Sequence, residues 1–178
     1  MAGDMNNPIL FKLLEEVRLQ CRFGKLAYEN LRTSLQGMDA EKTFFYVQAF
    51  LNHAGHVSRW LWPARPASKA RGERLRTELK ATDDSPLNWR DGRVHLEAAD
   101  EQLEDWLGAL ENPAVLDFNI MPQGSLSAYK QDTFQRNLDP DTYQLVFRGQ
   151  TWDLRRIADE LHRLESAAQV WLRTHNPW

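Results

Sequence analysis

Apolar residues recur at alternating four- and three-residue steps near the start of the chain: Leu10, Leu14, Val17, Cys21, Gly24, Tyr28, Leu31 and Leu35. This is the seam of a long amphipathic helix, predicted from Pro8 to about Leu35, with Asn7 as its cap and Gln36-Gly37 as its end. Gly24 within the seam weakens the helix and lets a neighbour come close. A second seam, Phe44, Val47, Leu51, Ala54, Ser58 and Leu61, predicts a helix from Ala40 to Trp62. Asp39 caps it and Pro63 stops it.

After the Pro63–Pro66 turn the pattern predicts a short basic helix from Ser68 to Leu79, then a polar loop, Thr82-Asp83-Asp84-Ser85. A central helix follows from Ser85 to Leu110. Ser85 is its expected N-cap, Pro86 its first helical residue, and Asn112-Pro113 its stop. Its downstream half carries Leu96, Ala99, Leu103, Trp106 and Leu110 at core-facing spacing; its upstream half is polar, with Arg90, Asp91, Arg93, His95 and Glu97.

From Asn112 to Ser127 periodicity lapses, and Pro113, Pro122 and Gly124 mark an irregular connection. The period then switches to two. Thr133–Asn137 and Tyr143–Phe147 read as a hairpin turned by Leu138-Asp139-Pro140-Asp141-Thr142, with Asp139-Pro140 expected at an exposed turn and Phe134, Leu145 or Phe147 on helices. Gly149 turns the chain again before Thr151-Trp152. A last helix, Asp153 to about Thr174, carries Leu154, Ile157, Leu161, Leu164, Ala168 and Trp171 on one stripe. The expected fold is mainly α: a bundle of four long helices and one short helix, with a small β-hairpin appendage before the last helix. At 178 residues it is one domain, 1–178, with the hairpin insert at about 132–152.

Composition adds bounds rather than detail. The chain is 42% hydrophobic and 26% charged, and no run approaches the ~18 apolar residues of a membrane span. The opening MAGDMNNP lacks the basic-then-apolar pattern of a signal peptide, and the lone Cys21 has no internal partner. A cytoplasmic setting without membrane contact is the expectation.

A net charge of −3 argues against a surface that grips nucleic acid everywhere. Its distribution says more. Arg59, Arg65, Lys69, Arg71, Arg74, Arg76 and Lys80 crowd one stretch against only Glu73 and Glu78. The stretch from Glu97 to Asp117 has seven acids and no Lys or Arg. These are two solvated faces, a charge match between molecules, or an anion-binding face.

No glycine-rich phosphate loop, HExxH, GxSxG or Cys/His zinc spacing occurs, so no cofactor or metal is called for. His53 and His56 stand three apart but lack further ligands at recognisable spacing, and hydrogen-bonded roles suit them better. Trp60, Trp62, Trp106 and Trp171 lie at helix ends or seams and read as packing residues. The polar half of the central helix is what remains.

Several segments resemble small bacterial helical proteins of the HEPN superfamily, named for higher eukaryote and prokaryote nucleotide-binding domains. They are "AFLNHAGHVSRWLWP", "RGERLR", "SPL", "DEQLEDWL", "DFNIMPQGSLS" and "RNLDPDTYQLVFRGQTWDL", in that order. The relatives carry an Arg-Asn-His-Phe-Glu-His-like run in the central helix. Its Arg falls on Arg93, its first His on His95, its Glu on Glu97 and its last His on Ala98.

What the resemblance implies is metal-independent ribonuclease chemistry at a site composed by two protomers, with His as general acid or base and Arg on the phosphate. Ala98 departs from it. Arg90-Asp91-Gly92-Arg93-Val94-His95 restores the spacing of Arg, polar residue and His, yet residues five apart on a helix point about 140° apart.

The candidate catalytic residues are thus Arg90, Arg93 and His95, and the candidate RNA contacts Arg71, Arg74, Arg76 and Lys80. The resemblance implies an RNA-directed module of a bacterial defence or toxin–antitoxin type, a homodimer, with its catalytic activity left open. The alternative is a non-enzymatic helical domain that contacts another protein.

Overall fold

The computed structural model describes residues 7–111, 114–126 and 129–175. Three long helices form the body: α1 (Asn7–Gln36), α2 (Ala40–Leu61) and α6 (Leu154–Thr174). Three short ones lie between them: α3 (Lys69–Leu79), α4 (Arg90–Glu97) and α5 (Ala99–Ala109). Four short strands precede α6: β1 (Asn119–Ile120), β2 (Asn137–Leu138), β3 (Gln144–Phe147) and β4 (Gln150–Asp153). The chain is mainly helical with a small sheet before its last helix, as the pattern predicts. Among the described residues no helix is long and apolar enough to cross a membrane.

The two predicted seams are buried, apart from the half-buried Tyr28. Leu14, Val17, Cys21 and Leu31 of α1 are closed off from solvent, as are Ala54 and Leu61 of α2 together with Phe50 and Val57, which the predicted seam leaves out. Leu154, Leu161, Leu164 and Ala168 of α6 close the same core. Gly24 is where α1 meets α6, since a Cβ there would stand 2.8 Å from Leu161 Cδ1. Asp39 and Asp153 cap α2 and α6, accepting from the amides of Lys42 and Arg156 at 3.0 Å each. Asn7, expected as the cap of α1, is itself helical.

The predicted central helix, and with it the bundle of four long helices, needs correction. Residues Ser85 to Trp89 form a turn instead. Ser85 Oγ accepts the Leu87 amide at 3.3 Å and donates to Glu160 on α6 at 2.9 Å. Leu87 is fully buried, and its carbonyl takes the hydroxyl of Ser58 on α2. The helix then starts at Arg90 and breaks at Ala98, whose φ of −122° and ψ of 53° end α4 and begin α5. No glycine or proline stands at the break; its cause is tertiary. α4 packs on α2. α5 is tied to the sheet region, Trp106 Nε1 donating to the Asp132 carbonyl at 2.8 Å and Arg148 to the Ala99 carbonyl at 3.3 Å.

The expected packing half of that helix is at most half-buried, with Leu96 of α4 packing against the core. α5 has no buried residue, with Leu103 and Trp106 half-buried and Leu107 47% exposed. The predicted stop at Asn112-Pro113 lies outside the described residues.

The sheet is larger than one hairpin. Its order is β1-β2-β3-β4, with β1 parallel to β2 and the other pairs antiparallel. The first predicted strand shrinks to Asn137–Leu138, while Phe134 makes an isolated bridge to Leu116. Between β3 and β4, Arg148 and Gly149 take φ of 49° and 80°, the two positive values that a tight two-residue hairpin requires. Phe134 and Leu145 are buried.

Asp139 is not at an exposed turn; it is 5% exposed. Its carboxylate accepts the amides of Gln123, Asp141 and Thr142 at 3.1, 2.9 and 3.1 Å, and so closes its own turn and ties it to the segment at Gln123.

Candidate functional site

Helix α2 ends on three arginines. Its last carbonyls have no partner within the helix. Arg71 donates to the Arg59 carbonyl, Arg76 to that of Leu61 and Arg93 to that of Trp62. Cations here also meet the negative end of the helix dipole, an effect of about 0.3–1 kcal/mol each. α3 lies close enough for this because of Gly72. A Cβ there would stand 2.5 Å from Pro63 Cδ and 2.7 Å from the Leu61 oxygen. Arg71 and Arg76 of the basic stretch therefore serve a structural purpose that no sequence period announces.

Arg76 and Arg93 also line a cleft of about 340 Å³, where they meet Trp62, Lys69, Asn88 and Arg90. Glu73 is the carboxylate among its lining residues. Arg90 is exposed, whereas Arg93 is 6% exposed. Only Nη1 of Arg93 is used, on the Trp62 carbonyl at 3.0 Å, and its Nε has no hydrogen-bond partner among the described residues. Burial weakens the charged form of Arg93, Glu97 counteracts this, and Arg59 and Arg90 add to it by repulsion. An anion in the cleft would relieve that repulsion.

On the other side of Arg93 lies a second cleft of about 280 Å³, lined in part by Asn52, His56, Arg59, Leu96 and Glu97. Arg59 and Glu97 are paired across it at 2.8 Å.

The remaining candidates separate. His95 points away from both clefts, with Nε2 2.8 Å from Gln150 Nε2 on β4 and its ring edge-on to Phe147 at 5.8 Å. Its Nδ1 is buried with no hydrogen-bond partner among the described residues. Burial first, then Arg148, holds its pKa below the usual value, with Asp91 opposing.

Arg71 lies over the Trp60 ring at 4.8 Å, and Arg74 is paired with Glu78 at 2.9 Å. Lys80 ends α3 in the left-handed region at φ 51°. Of the predicted residues, Arg76, Arg90 and Arg93 come together; His95, Arg71, Arg74 and Lys80 do not join them. Sequence reasoning set Lys69 in the basic stretch without singling it out, read Trp62 as a packing residue and missed Asn88. The basic stretch and the Pro63 stop after Trp62 were the available signals.

His53 and His56 have ring centroids 6.4 Å apart, and His53 Nδ1 is 2.8 Å from Gln20 Oε1 on α1. Cys21 is buried, and burial, reinforced by Glu165 and Glu160, raises its pKa far above the usual thiol range. That thiol is inert. Compared with known proteins, the chain matches no family model, no curated protein and no solved structure.

Proposed function

We propose that this chain is a HEPN-like, RNA-directed module that holds a phosphate backbone in the cleft between α2, α3 and α4 without cutting it efficiently. The observation that carries the reading is the convergence of Arg76, Arg90 and Arg93 with Lys69 on one concave surface. Fixed positive charge is all that phosphate attraction needs, and it acts locally despite a net charge of −3. Asn88 and the half-buried Trp62 add a hydrogen-bonding amide and an aromatic surface of the kind unstacked RNA bases use.

Cleavage asks for more. A general acid or base must come within hydrogen-bonding reach of the reacting oxygen. His95 is engaged with Gln150 and Phe147 at the sheet instead, and Ala98 supplies no imidazole.

The test is gel-shift titration of mixed-sequence RNA at low and moderate salt. Arg90→Ala should weaken binding and lower the salt slope by about one phosphate contact. No binding at low salt by the folded protein would refute the reading.

A second reading, contact with protein, rests on α5. It carries Asp100, Glu101, Glu104 and Asp105 with no Lys or Arg, and Leu107 stands exposed. The partner whose charge fits is a second copy presenting α3. Sedimentation at micromolar concentration and low salt tests it, and a single 20.8 kDa species would remove it.

A further inference from the structure

Arg93 is a wall shared by two clefts, one lined also by Arg76 and Arg90, the other by His56 and Arg59. We propose that these are consecutive phosphate subsites, so that the preferred ligand is a strand of two or more nucleotides rather than a single nucleotide. The proposal rests on the RNA reading of the first cleft and adds the second.

Three observations support it. Arg93 is 6% exposed and held by the Trp62 carbonyl, so its position is set before any ligand arrives. A guanidinium has five N–H donors in a planar fork. One is spent on Trp62 and Nε is buried, so the remaining donors of this side chain, which lines both clefts, are those that meet a phosphate oxygen, the strongest acceptor RNA offers.

The second cleft is also covered in a way that an anion can undo. Arg59 Nη1 is 2.8 Å from Glu97 Oε1, with the two side chains 42% and 46% exposed. Solvent-exposed pairs of this kind contribute little to stability. A phosphate can therefore replace the Glu97 carboxylate on Arg59 at small cost, with Asn52 and His56 beside it. Glu97 is then a specificity-determining residue. Its negative charge opposes entry and admits only a ligand whose neighbouring phosphate is already held in the first cleft. A mononucleotide fills one subsite and leaves the Arg59–Glu97 pair closed.

Calorimetric titration at low salt with uridine monophosphate and with the 5′-phosphorylated dinucleotide pUpU decides the matter. The dinucleotide should bind about tenfold tighter or more, because the second contact is intramolecular once the first is made. Arg59→Ala should remove that advantage, weakening pUpU about tenfold and the mononucleotide far less. Glu97→Gln should strengthen pUpU binding severalfold, and the mononucleotide less than pUpU.

Equal affinities for the two ligands would overturn the proposal. So would an Arg59→Ala variant that weakens both ligands alike, which would place Arg59 in a supporting role behind Arg93. Failure of the first cleft is distinguishable. There neither ligand binds, or mononucleotide binding survives Arg90→Ala undiminished, and the RNA reading falls together with its extension.

Discussion

Arg93 of α4 donates from Nη1 to the backbone carbonyl of Trp62 at 3.0 Å, joining the start of one helix to the end of another 31 residues away. The bond makes Arg93 a structural residue whatever the cleft holds. Arg93→Ala leaves that carbonyl without its donor and empties buried volume. Urea denaturation should show a loss of about 1–3 kcal/mol. A loss below about 0.5 kcal/mol, the range of ordinary surface substitutions, would show that the Trp62 contact contributes little.

Gly92 and Trp89 set a second expectation. In an exposed helix Gly→Ala is stabilising by about 1 kcal/mol. Here a Cβ would stand 1.6 Å from Trp89 Cε2, inside the ring itself. Trp89 packs edge-on against Trp152 with centroids 4.8 Å apart, so it cannot yield without breaking that contact. Overpacking of this kind costs about 1–3 kcal/mol and outweighs propensity. Gly92→Ala should lower the thermal midpoint and change the near-ultraviolet circular dichroism. A raised midpoint would mean that Trp89 moves freely.

His95 should make stability depend on pH. Its folded-state pKa is lowered, chiefly by burial and then by Arg148, so the unfolded chain binds its proton more readily. The contribution is full above the unfolded value of about 6.5 and is lost as pH falls through that value toward the folded one. His53 and His56 are lowered too and act in the same direction. His95→Gln should therefore flatten, without abolishing, the fall in urea midpoint between pH 7.5 and pH 5.5. An unchanged slope would show that His95 is solvated like a free imidazole.

Asp139 titrates at the other end of the scale. Burial pushes its pKa up, but the amides of Gln123, Thr142 and Asp141 together outweigh this and hold it below the usual carboxylate range. Its stabilisation is present above the unfolded value and is lost as pH falls through the folded one. At neutral pH Asp139→Ala should cost about 1–3 kcal/mol. Asp139→Asn should cost less, since one carbonyl oxygen can still serve Asp141 and Thr142 while the Gln123 bond is lost. Equal costs for the two variants would assign the effect to packing.

Helix α5 should be the least protected helix in amide hydrogen exchange. None of its residues is buried, whereas α1, α2 and α6 share one core. Protection in α5 that matches α2 in dilute protein would mean that a partner already covers it.

The three long helices were legible in the chain itself because their cause is local. Apolar residues repeat at the helical period, and Asp39 and Asp153 stand where a side-chain oxygen can satisfy the first free amides. The tight turn at Gly149 was legible for the same reason. The break at Ala98 was not, since the period runs through it unaltered; α4 is drawn to α2 and α5 to the sheet, and one straight helix cannot serve both. Strands of two residues, such as β1 and β2, have no period to read, and their parallel pairing is a contact between distant segments.

The candidate site divides along the same line. Its residue types stood out in sequence as a basic stretch and a polar helix face. Which of them share a cleft was decided by where α2 ends. Its free carbonyls gather Arg71, Arg76 and Arg93, and the turn through Leu87 sets Arg90 beside them while the helical rotation from Arg90 to His95 carries the imidazole to the sheet.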